Sequence, residues 1–99
     1  MPDWTDRSAA LTFDLHGQTV LEAATSAEQF LRIQAKARPG GIVRIITGRG
    51  RSGPGGGSPI RTRVRSLLRR LKESDTVVRD YLLEESEGSF LVRLRGRGG

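Results

Sequence analysis

The sequence predicts a single α/β domain: a mixed four-stranded sheet with both helices on one face, in the order βαβαββ. Three observations carry this. An alternating stretch and a continuously apolar stretch flank a run of helical period, which makes a βαβ unit. A second run of helical period follows, opened by Ser58 and Pro59. Two short apolar stretches separated by Glu84-Glu85-Ser86-Glu87-Gly88 then close the chain as an antiparallel hairpin. At 99 residues there is room for one core and not for two.

The first strand lies in Leu11-Thr12-Phe13-Asp14-Leu15-His16-Gly17. Strict alternation sets Leu11, Phe13 and Leu15 on one side and Thr12, Asp14 and His16 on the other. A carboxylate and the chain's single histidine therefore stand as neighbours on one face, and Gly17 lets the backbone turn away. The first helix opens at Thr19, with Glu22 three residues on to complete a capping box. Val20, Ala24, Ala27 and Leu31 recur at helical spacing, flanked by Leu21, Phe30 and Ile33, until Pro39-Gly40-Gly41 ends the helix. Ile42-Val43-Arg44-Ile45-Ile46 has the pattern of an interior parallel strand, reached by a right-handed crossover.

Ile60, Val64, Leu67, Leu68 and Leu71 give the second helix its apolar face. Thr76 to Leu83 reads as the third strand and Ser89 to Arg95 as the fourth, with Phe90, Val92 and Leu94 inward and Leu91, Arg93 and Arg95 outward. The face without helices is expected to be open to solvent, with Asp14 and His16 pointing to it. Residues 1–10 read as a flexible lead-in whose Trp4 packs against the sheet or a helix edge, 11–95 as the domain, and 96–99 as a flexible tail.

Composition excludes several chemistries. The absence of cysteine rules out disulfides and Cys-ligated zinc or iron–sulfur sites. One histidine rules out a multi-His metal site, so any metal is magnesium or manganese held by carboxylate and water, with Asp14 the candidate ligand. No organic cofactor is expected. No apolar run approaches the roughly 20 residues of a membrane span, and the N-terminus lacks the pattern of a secretion signal. A cytoplasmic, monomeric domain is the expectation.

The charge is segregated. Between Gln29 and Lys72 there is no acidic residue, yet this block holds twelve of the 17 Lys and Arg residues. Arginine codon bias could favour Arg over Lys but does not remove acids, so the pattern points to a polyanion, nucleic acid ahead of anionic membrane. At about 100° per residue, Arg61, Arg65, Arg69 and Lys72 share one flank of the second helix and Arg63 and Arg70 another. Six cations read as lacking i+4 carboxylate partners repel one another and call for an external anion.

Between the second strand and second helix, Thr47 to Ser58 holds six glycines in twelve residues. Gly48-Arg49-Gly50-Arg51-Ser52-Gly53 matches G-x-G-x-x-G literally, but no helix opens at its third glycine and the chain cannot hold a dinucleotide fold. What remains is an anion cradle of backbone N–H groups, a helix N-terminus, and Arg49, Arg51 and Arg61. Parallel strands one and two bring this loop and Asp14-x-His16 to the same carboxyl edge, where ligands of open α/β sheets bind.

Phe13-Asp14-Leu15-His16-Gly17, Glu22-Ala23, Val43-Arg44-Ile45-Ile46 and Thr47-Gly48-Arg49-Gly50, in this order, resemble the Smr (small MutS-related) domain family. The later Ile60…Val64…Leu67-Leu68 helix and the Glu87-Gly88…Val92-x-Leu94 hairpin fit as well. The resemblance implies the two-layer sandwich of the C-terminal domain of a bacterial translation initiation factor, with sheet order 1-2-4-3. It also implies binding of branched or structured nucleic acid and, in several members, nicking of DNA or RNA. It makes Asp14 and His16 the catalytic candidates and Thr47, Gly48, Arg49 and Gly50 the phosphate-contacting loop. On the charge pattern, Arg49 and Arg51 are expected to stabilise the scissile phosphate, and Arg61, Arg65 and Arg69 to hold the flanking backbone. Two departures stand out. Thr47 occupies a position where many members carry a second histidine, and the stretch Arg51 to Ser58 is long and glycine-rich. With no MutS-type ATPase in the sequence, a stand-alone member or an excised domain is expected.

Overall fold

A computed structural model describes residues 3–48, 58–86 and 88–96. Strand β1 (Leu11–Asp14) leads into helix α1 (Val20–Ala37). That helix starts where its capping box dictates: the Glu22 N–H donates to Thr19 Oγ1 at 3.1 Å, and Glu22 Oε1 accepts from the Thr19 N–H at 3.0 Å. Strand β2 (Ile42–Ile46) follows, then helix α2 (Pro59–Glu73), N-capped by Ser58 Oγ, which accepts from the Arg61 N–H at 3.1 Å. Strands β3 (Val78–Leu83) and β4 (Ser89–Leu94) form the closing hairpin.

The sheet order is β1-β2-β4-β3, as the family resemblance implied. β2 runs parallel to β1 and antiparallel to β4, while β3 pairs antiparallel to β4 with an irregularity between Val78 and Asp80. Alternation on β4 fixes the layers. Phe90, Val92 and Leu94 are fully buried with Val43 and Ile45 of β2, Ala23, Ala27 and Leu31 of α1, and Val64, Leu68 and Leu71 of α2. Both helices therefore lie on one face. Each buried leucine or phenylalanine there contributes about 1.5–3 kcal/mol of apolar transfer.

Three details depart from the sequence reading. On α1 the buried stripe is Ala23-Ala27-Leu31, whereas Leu21 and Ile33 are exposed and Val20 is 38% exposed, because the helix is rotated to seat its alanines on the sheet. Leu11 is 38% exposed because β1 is an edge strand with one neighbour. The helix-free face is not left open along its whole length. Residues Asp3–Asp6 form a 3-10 turn that lays Trp4, 6% exposed, over Ile42 and Leu91, with Ala9 and Leu82 at the margin. Trp4 Nε1–H donates to Asp80 Oδ2 at 3.2 Å, which satisfies the one polar group the indole brings into this contact.

Candidate active site

Four chain segments meet at one edge because of strand register. Asp14, the last residue of β1, pairs with Ile46, the last of β2, and Ile46 pairs with Ser89, the first of β4. The Leu15 N–H extends the ladder by one bond to the Ile46 carbonyl at 2.8 Å. His16 and Gly17 leave from β1, Thr47 and Gly48 from β2 beside it, and Gly88 lies on the far side of β2, just ahead of β4. α1 and α2 both begin after these exits, so their N-termini share this end of the molecule. The convergence expected from two parallel strands is present.

His16 does not continue the strand face as alternation suggested. The chain leaves the sheet after Asp14, Leu15 is fully buried, and His16 and Gly17 lie in a turn closed by the Gln18 N–H to the Leu15 carbonyl at 3.1 Å. Gly17 has φ +87°, a value glycine takes without strain. Asp14 Oδ1 accepts the His16 backbone N–H at 2.8 Å, an Asx turn that binds the two candidates through backbone and leaves Oδ2 for a water or ligand. Asp14 and His16 are both exposed, and the imidazole has no partner among the described residues.

Thr47 is 4% exposed. Its hydroxyl lies 3.2 Å from the Gly48 carbonyl and 3.4 Å from the Gly88 carbonyl. The N–H groups of Thr47 and Gly48 both donate to the Gly88 carbonyl, at 2.9 and 3.0 Å. These two amides are thus consumed in fixing the loop root, and Gly48, at φ +84°, sends the chain outward. The expected phosphate contacts of Arg49, Gly50 and Arg51 lie outside the described residues.

Along α2 the structure separates the arginines. Arg61 sits half-buried in the first turn, which carries no acid. Arg65 is exposed with no ion pair among the described residues. Arg69, read as lacking an i+4 partner, has one: Glu73 Oε1 at 3.1 Å. With both side chains about two-thirds exposed or more, that pair is weak and yields readily to a phosphate. Lys72 bonds Asp80 at 3.1 Å and Arg70 bonds Glu28 at 2.9 Å, so hairpin and α1 acids partner part of the basic helix.

On the helix-free face, next to this edge, Glu84 receives a two-pronged contact from Arg44 at 2.7 and 3.1 Å and the Ser89 hydroxyl at 2.6 Å. The Arg44 guanidinium holds the Glu84 carboxyl below its ordinary value, against the opposing effect of burial. Glu84 cannot share a cation with Asp14: they are three strands apart, about 14 Å at sheet spacing. Among the described residues no three of His, Cys, Asp and Glu stand together as a metal set. A lone carboxylate holds a divalent cation weakly, so magnesium or manganese at Asp14 would share its coordination with substrate phosphates.

The model of the Smr domain family matches residues 13–95. The chain belongs to the Smr domain family. No curated protein matches it. The Smr match takes in Asp14, His16, Thr47 and the closing hairpin and begins after Trp4 and its 3-10 turn. Among the described residues no helix is long and apolar enough to cross a membrane. One residue at the edge escaped the sequence reading. Gln18, immediately after the His16 turn, has its Oε1 buried without a partner among the described residues. A lone glutamine outside any motif gives no sequence signal.

Proposed function

We propose that this Smr domain binds branched or structured nucleic acid through its phosphates and cuts it as a nicking endonuclease. The observation that carries the reading is the register that sets Asp14 and His16 beside the root of the Thr47-Gly48 loop, at the N-terminal ends of an arginine-rich helix and its neighbour. In the reaction, the His16 imidazole takes a proton from a water ordered by Asp14 Oδ2. The water oxygen bonds to phosphorus, the P–O ester bond opposite it breaks, and the leaving oxygen takes a proton from solvent. Arg61 and the loop arginines Arg49 and Arg51 oppose the charge that grows on the phosphate oxygens. Arg65 and Arg69 hold the flanking backbone. No step requires a resident metal.

A second reading, a recognition module that does not cut, is favoured by one specific contact. The Asp14–His16 Asx turn is also what a purely structural aspartate would make. The experiment is cleavage of end-labelled branched DNA and hairpin RNA, with EDTA and with magnesium or manganese, by wild type and by the Asp14→Ala/His16→Ala double variant. Cutting abolished in the variant with binding retained supports the nuclease. Equal cutting by both removes these residues from the mechanism, and tight binding without cutting by either establishes the recognition module.

A further inference from the structure

Besides the loop edge, the surface offers a groove of about 340 Å³ between α1 and α2. Its walls are Leu21, Thr25 and Glu28 from α1 and Arg63, Ser66 and Arg70 from α2. This is the flank of α2 that the site above does not use; Arg65 and Arg69 lie on the other flank, toward β3, where Lys72 meets Asp80. The groove starts at the end of the molecule that carries His16, because Leu21 and Arg63 both sit in the opening turns of their helices.

The charge along the groove is ordered. Near the entrance Arg63 is exposed and has no ion pair among the described residues. Farther along, Glu28 is gripped by Arg70 at 2.9 Å and by Arg32 at 2.9 Å, so its single negative charge is outnumbered by two guanidiniums. Arg32, whose hydrogen bond is the main cause, and Arg70 together hold the Glu28 carboxyl below its ordinary value, against burial. Between these points the Thr25 hydroxyl offers an uncharged donor, facing Ser66, whose hydroxyl donates to the Thr62 carbonyl at 3.2 Å, while Leu21, 71% exposed, gives the rim an apolar surface suited to a sugar or base. A cation at the mouth without an ion pair among the described residues, a hydroxyl donor on the α1 wall, an apolar rim and no unpaired acid match a phosphodiester strand.

We propose that the α1–α2 groove is a binding track for the nucleic-acid backbone leaving the candidate active site, with Arg63 as its first phosphate contact. This rests on the nucleic-acid reading above and adds a path to it. The track runs along the Arg63 flank of α2, so Arg63 and Arg65, two residues apart, play unequal parts in it.

The test is titration of fluorescently labelled branched DNA and hairpin RNA with the full chain between 50 and 200 mM salt, using Arg63→Gln, Arg79→Gln and Ser66→Trp. One lost phosphate contact on a duplex lowers the log–log salt slope by about 0.9, which is roughly eightfold in affinity at 0.1 M salt. That loss is expected for Arg63→Gln, with less than twofold at Arg79→Gln, which removes an exposed charge on β3 away from the groove. Ser66→Trp, which fills the groove without changing charge, is expected to weaken binding while circular dichroism stays that of the wild type. Wild-type affinity in both Arg63→Gln and Ser66→Trp overturns the track while leaving nucleic-acid binding in place. Equal losses at Arg63 and Arg79 also overturn it, since they signify unspecific charge. A wild type that binds neither probe overturns the parent reading and the track together.

Discussion

The two faces of the sheet are built on opposite terms. The helix-covered face is dry: Val43, Ile45, Phe90, Val92 and Leu94 are fully buried against two helices. The helix-free face is divided along the strands. One end is apolar and covered by Trp4 over Ile42 and Leu91; the other, where β1 and β2 end, is polar and carries Asp14 and the Arg44–Glu84–Ser89 cluster. Stability is concentrated on the first face, which leaves the polar end of the second free to hold groups with unmet bonding capacity. A protein can keep an exposed carboxylate and an exposed imidazole two residues apart when its core does not depend on them.

That division has measurable consequences. Phe90→Ala opens a cavity under both helices and is expected to remove about 3–5 kcal/mol in urea denaturation, a large share of a small domain's stability. Trp4→Ala removes the cover from the other face and the bond to Asp80, and is expected to remove only about 2 kcal/mol, since one side of the indole contact is solvent. Equal losses in the two variants would show that both faces carry the fold alike. Trp4 is the only tryptophan, so in the wild type its fluorescence reports the covered end while circular dichroism reports the helices. A fluorescence midpoint at lower urea than the dichroism midpoint is expected; coincident midpoints would make the Trp4 turn part of one cooperative unit.

The helix-covered face was legible because its signals are periodic. Thr19 with Glu22, Ser58 with Pro59, and Phe90-Val92-Leu94 each state an element in local terms, and all took their places. The other face was harder to read. Leu91 alternates outward, and nothing near it in sequence says that Trp4, far away in the chain, will cover it. The site shows the same limit. Parallel pairing of the first two strands sufficed to bring Asp14 near Thr47, but period-two alternation carried one residue too far and set His16 on the sheet face rather than in a turn. Nor did spacing reveal that the Thr47 and Gly48 amides would both be consumed by Gly88, because that contact depends on the hairpin's return. The Arg69–Glu73 pair was legible at i+4 and passed over in the count of unpartnered cations.

The polar end of the helix-free face is expected to show a smaller, pH-dependent effect. Glu84 sits below its ordinary value because Arg44 favours the carboxylate. A carboxylate lowered in the folded state adds stability above its unfolded value, about 4.3, and loses that contribution as pH falls through the folded value. Glu84→Gln is therefore expected to be less stable than wild type by about 1 kcal/mol at pH 7, the scale of a partly exposed pair. The difference should shrink as pH falls below roughly 4.5. A difference that stays constant from pH 7 to pH 3 would mean that shape and hydrogen bonding, and not charge, account for it.

At the edge itself the expected effect on stability is smallest and the effect on chemistry largest, and Asp14→Asn separates the two. An asparagine carbonyl accepts the His16 N–H as Asp14 Oδ1 does, so the Asx turn survives and stability should stay within about 0.5 kcal/mol of wild type. What disappears is the negative charge on the second oxygen, the atom assigned to the water. Cleavage should then fall about a hundredfold, the scale of a misplaced reacting group, with binding of the same substrate unchanged or tighter because one repelling charge is gone. If Asp14→Asn cuts at the wild-type rate while Asp14→Ala does not, the aspartate serves only to hold the turn, and His16 must work with another group at this edge, of which the unpartnered Gln18 Oε1 is the nearest in sequence.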